Sequence, residues 1–165
     1  MKTGIFSILL ALIFWTAGIA EVQSAETFRG IPWGTDKKEL PDLLEGPKKD
    51  QVEVFTRAEQ KKVGEVAVEN IYYLFYRGKF GAAMIIFQGA SNFSGLRDAL
   101  SQKYGPSKTA DPLRGEYAWD LEDLTIFFEY SAARNKGSIN YFFKPLLQQR
   151  EEDRGKARKK ALEDL

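Results

Sequence analysis

Two strong strand patterns meet at a two-residue turn in the middle of this sequence, and that junction limits the fold more than any other feature. Val66 to Tyr76 (VAVENIYYLFY) is a β-branched and aromatic run, and Lys79 to Gln88 (KFGAAMIIFQ) is another. Only Arg77-Gly78 separates them. Paired runs joined by two residues that include glycine predict an antiparallel hairpin. Comparable runs lie on either side: Gln51 to Ala58 before it, then Glu116 to Leu121, Asp123 to Tyr130 and Ser138 to Lys144 after it. Connections this short force neighbouring strands to run antiparallel, so the chain reads as an antiparallel sheet of about six strands.

Helical signals stand between the runs. Ser91 or Asn92 caps a segment in which Phe93, Leu96, Leu100 and Tyr104 share one face, with Arg97, Asp98 and Lys103 outside; Gly105-Pro106 ends it. Upstream, Asp36 with Glu39 three residues on forms a capping-box pattern. Leu40, Leu43 and Leu44 then predict a short helix, kinked at Pro41 and stopped by Gly46-Pro47. The two Gly-Pro stops lie 59 residues apart. Each is followed by three strand runs, which suggests two αβββ units, at 28–88 and 89–144, within one α+β domain spanning 26–147. Helices on one face of the sheet complete the expected architecture. The remaining 148–165 carries six basic and five acidic residues from Gln148 on, with few apolar ones, and predicts a charged, solvated helical tail.

Residues 1–20 have the three parts of a secretory leader. Lys2 supplies the positive start, Gly4 to Ala20 are 17 residues without charge, and Gly18-Ile19-Ala20 is a small-residue exit before Glu21. Cleavage between Ala20 and Glu21 is expected, with Val22-Gln23-Ser24 as a second exit. A retained signal anchor is the competing reading, although 17 residues only just reach the roughly 17 to 25 needed to span a bilayer. With no cysteine at the exit, no lipid can be attached there. The expected location is therefore the periplasm or the medium of a bacterium, with no stable membrane anchor after cleavage.

Charge and residue inventory narrow the function. The net charge is +1, and loss of Lys2 with the leader leaves 23 residues of each sign, so no field favours nucleic acid. The chain contains neither Cys nor His. That removes disulfides, thiolate nucleophiles, imidazole bases and the commonest metal ligands. No glycine-rich phosphate loop occurs, and no cofactor is expected.

The segment Phe28-Arg29-Gly30-Ile31-Pro32-Trp33-Gly34-Thr35 resembles the opening of a group of small exported bacterial proteins of unknown function, which carry F-x-G-x-x-W-G after a signal peptide. The resemblance extends through Asn92-Phe93 and Tyr104-Gly105-Pro106. The order helix, Gly-Pro, three strands is also similar to the repeat unit of β-lactamase-inhibitor-like proteins and of the small lipoprotein of outer-membrane assembly. Those are binding or scaffolding modules. Here each unit has one helix and the lipobox cysteine is missing, so the likeness implies a binding role without assigning a residue to it.

Two sets of residues qualify as candidate sites. Asp120, Glu122 and Asp123 are the densest carboxylates outside the tail; they suit acid/base work, joined by Glu129 in a hydrolase, or a weak Ca²⁺ site, or simply an acidic strand turn. The second set is aromatic. Tyr117, Trp119, Ile126, Phe128, Ile139, Tyr141 and Phe143 share one strand parity, while Phe127 and Phe142 have the other. In the first half both parities are apolar. Phe127, Phe142, Tyr73 and Phe75 are accordingly the candidate binding face, to be covered by Phe28 to Trp33, by the tail, or by a partner. The expected function is a non-catalytic envelope module that binds or scaffolds a protein or peptide. The alternatives are a carboxylate-dependent glycan hydrolase and a carrier of an apolar ligand.

Overall fold

The computed structural model describes residues 26–49 and 51–163. The expected leader and its Ala20–Glu21 junction lie outside these residues. The main element is one eight-stranded antiparallel sheet. Its strands are β3 (Leu43–Lys49), β4 (Val52–Arg57), β7 (Asn70–Tyr76), β8 (Lys79–Gln88), β9 (Thr109–Asp111), β10 (Glu116–Asp120), β11 (Leu124–Ser131) and β12 (Lys136–Phe143). The spatial order is β3-β4-β7-β8-β12-β11-β10-β9. Two small ribbons, β1 (Thr27–Phe28) with β2 (Ile31–Pro32) and β5 (Lys62–Val63) with β6 (Val66–Ala67), lie apart from it in pairing. The helices are α1 (Ala90–Tyr104) and α2 (Lys144–Glu163).

The expected hairpin is there. Tyr76 pairs with Lys79, and both turn residues, Arg77 (φ 50°) and Gly78 (φ 76°), have the left-handed backbone that a tight two-residue hairpin turn needs. Alternation along the strands then separates two faces. Tyr73, Phe75, Phe80, Ile85, Phe87, Ile126, Phe128, Ile139 and Trp119 are buried on one of them. A bulge at the end of the hairpin, where Leu74 faces Ala82 but Phe75 faces Phe80, keeps both Phe80 and Ala83 on that core face. Leu96 and Leu100 of α1 close over it, as do Phe28 and Ile31 of the first ribbon.

Four expectations are corrected. The sheet has eight strands, not about six. The helix expected over Leu40 to Leu44 is absent: Asp36 does cap, accepting from the Lys38 amide, but it caps only a 3-10 turn, Lys37–Glu39. The chain then becomes the edge strand β3. Pro47 is tolerated there because it sits in a bulge between Glu45 and Lys48 on the sheet's outermost strand, where its missing N–H costs no ladder bond. Without that helix the first half is not an αβββ unit, and the sequence repeat is not a structural one.

The other two corrections concern the helices. They do not share a face: α1 packs on the core face, whereas Leu146 of α2 sits against Gly81, and with Leu147 it borders Leu74, Ala82 and Phe142 on the opposite side. The helix expected over 148–165 also starts earlier, at Lys144 directly after β12, and uses those two leucines as its contact. None of the helices among the described residues is long and apolar enough to cross a membrane.

Candidate functional site

Cross-strand register lays out the second face in rows. Asp120, Thr125, Phe142, Ala82 and Leu74 form one; Ala118, Phe127, Asn140, Met84 and Tyr72 the next; Glu116, Glu129, Ser138, Ile86 and Asn70 the third. Helix α2 lies over the β12, β8 and β7 part of the first row. It is tied down further along by Asp153, which accepts from the Tyr76 hydroxyl at 2.7 Å and pairs with Arg77 at 3.0 Å. The other two rows border an open groove of about 930 Å³, which reaches past Glu129, Ser138 and Asn140 to the exposed loop at Leu113.

The groove floor is mixed in character. Ser138, although buried, donates to Glu129 Oε1 at 2.9 Å and accepts from Asn140 Nδ2 at 2.7 Å, so the strand centre is a small satisfied polar network. Phe127 stands beside it with 49% of its surface exposed and touches Phe142 edge-on at 6.0 Å. Sequence parity had put these two rings together, and the structure does so. The other half of the candidate face is corrected: Tyr73 and Phe75 are both fully buried on the core face. Tyr73 donates to Glu59 at 2.5 Å, and burial first, then that hydrogen bond, push its phenol up. These four aromatics therefore do not form one surface.

The carboxylates are not gathered either. Asp120 is gripped by Lys108 at 2.6 Å and Lys144 at 2.7 Å, and their hydrogen bonds hold its carboxyl down at about 2. Lys144 also donates to the backbone carbonyls of Leu121 and Glu122, and its own amide to that of Asp123 at 2.9 Å. The acidic turn thus anchors the first residue of α2. Glu129 is elsewhere, directly opposite Glu116 across the β10–β11 ladder. Opposed residues have Cβ atoms about 4.5–5.5 Å apart and point the same way, so the two glutamates stand side by side on the groove wall. Sequence reading missed Glu116 because its partner is set by register. Among the described residues no group of three or more acidic side chains could hold a metal ion.

Comparison with family models, with curated proteins and with solved structures found no match to this chain.

Proposed function

We propose that this chain is a non-catalytic exported module that binds or scaffolds a protein or peptide of the bacterial envelope. In this reading the leader is removed after Ala20, and the groove on the second sheet face receives the partner. One observation carries it: Phe127, a large ring on a β-strand, stands half exposed where α2 stops covering the sheet. A lone exposed ring is unremarkable, but this one continues a contact with Phe142 and pairs across the ladder with Asn140, which lines a wide groove beside other hydrogen-bonding groups. The resemblance of Phe28 to Thr35 to exported bacterial proteins supports the same compartment.

The glycan-hydrolase reading is less well supported. A glycosidase needs two carboxyls flanking the scissile bond about 5 to 9.5 Å apart, one of them with a raised pKa. Asp120 is held the other way by two lysines, and Glu129, beside Glu116, is engaged as acceptor for the Ser138 hydroxyl.

A photoreactive residue at position 127, compared with one at the more exposed Leu162 of α2, tests the binding face. The expected result is one discrete envelope adduct from position 127 and none from 162. Equal labelling from both would refute the assigned face. N-terminal sequencing of protein recovered from outside the cytoplasm should read Glu21-Val22; an intact Met1 would overturn cleavage.

A further inference from the structure

On the core side of the sheet, away from the groove, a cavity of about 150 Å³ lies between α1, the first ribbon and the strands. Phe28, Ile85, Leu96, Leu100 and Leu124 give it apolar walls. A cavity of that size, with such walls, is large enough to hold a molecule the size of benzene. Tyr141 also lines it. That side chain is only 5% exposed, its ring packs against Phe28 at 5.1 Å, and its hydroxyl makes no hydrogen bond among the described residues.

The unpartnered phenol is out of character for this fold. Tyr73 bonds Glu59, Tyr76 bonds Asp153 and Trp119 donates to the Gly105 carbonyl at 2.8 Å. Buried tyrosine and tryptophan polar groups usually find such partners; the Tyr141 hydroxyl instead keeps accessible surface beside the cavity, where a bound molecule can reach it. At the cavity mouth the cations differ. Arg29 is fully engaged, by Glu59 and the carbonyls of Lys62 and Gln60. Lys103 has no ion pair among the described residues and rests its ammonium over the Tyr104 ring at 4.9 Å.

We propose that this cavity is a binding site for a small single-ring or similarly sized apolar molecule carrying one hydrogen-bond acceptor, which the Tyr141 hydroxyl recognises. The walls select by size and apolarity, and the phenol selects for the acceptor. The site does not depend on the groove of the second face, and either can fail without the other.

Phenol and toluene are the probes, since they share size and shape and differ in the acceptor. Calorimetric titration of the purified protein should give saturable phenol binding with a Kd on the order of 0.1 mM, and toluene about tenfold weaker. Tyr141→Phe keeps the ring and should erase the difference between the probes. Ala99→Phe, at an exposed position on the cavity rim, should abolish binding of both while leaving the melting temperature in place. Absence of phenol binding at millimolar concentration, indicating a cavity that holds only water, would overturn the proposal. So would selectivity that survives Tyr141→Phe, or binding indifferent to Ala99→Phe.

Discussion

Gly137 shows how little freedom single positions have in the middle of the sheet. A Cβ built there would overlap the Phe87 ring and the Glu129 carbonyl oxygen, and both are held, one by burial in the core and the other by the β11–β12 ladder. Overpacking of this kind typically costs 1–3 kcal/mol, so Gly137→Ala should lose about 2 kcal/mol in urea unfolding with an unchanged slope. Asp120 gives a pH-dependent counterpart. Its folded pKa of about 2 lies below the unfolded 3.8, so its contribution is complete above 3.8 and disappears as pH falls through 2. Asp120→Asn removes that contribution. Thermal melts of the variant should therefore decline less steeply than wild type between pH 4 and pH 2, and the two should converge at the acid end.

At the scale of elements, α2 has two unequal halves. Its first turns place Leu146 and Leu147 against the sheet and hold Asp153 to Tyr76 and Arg77, whereas residues 156–163 are all exposed. Removing residues 156–165 should change stability by less than about 0.5 kcal/mol, and Leu146→Ala should cost about 1–2 kcal/mol, both measurable by chemical denaturation. This helix also shows why sequence reading stopped where it did. Charge order identified the tail as helical, but two leucines are too few to announce which face of the sheet they will meet. The strands from Asn70 to Gln88 and from Glu116 to Phe143 were legible because alternation and turn residues agreed. Helix α1 was legible because four apolar positions and Gly105-Pro106 agreed too. Around Leu40 the signals conflicted: three leucines at helical spacing against Pro41, Gly46 and Pro47. The strand won, since an edge position accepts a proline that a helix interior does not. The groove and the Tyr141 cavity were not legible, because both depend on register and on where α1 and α2 come to lie. Parity alone put Phe127 beside Phe142 and gave no sign that Tyr73 and Phe75 were buried.

The molecule as a whole follows from the central pairing of β8 with β12. Residues Ala82 to Gln88 meet Phe142 to Lys136 along seven consecutive positions, joining chain segments about fifty residues apart into one sheet without a seam. The side chains cross the same boundary. Phe28 touches Tyr73 and Phe80 on one side and Tyr141 on the other, and Phe87 stacks on Phe128 at 5.5 Å. Two halves that share a ladder and a core cannot open one at a time without exposing the other's apolar surface, which is the condition for all-or-none unfolding in a domain of this size. The tryptophans allow a direct check, because Trp33 packs on Phe80 near β8 while Trp119 lies in β10 at the far end of the sheet. In a Trp15→Phe background, Trp33→Phe leaves Trp119 as the reporter and Trp119→Phe leaves Trp33. Within each variant, the fluorescence and circular dichroism transitions in urea should superimpose. A Trp119 signal that moves ahead of the loss of secondary structure would mean that β9 to β11 peel away first, and that the core is divided where the pairing says it is continuous.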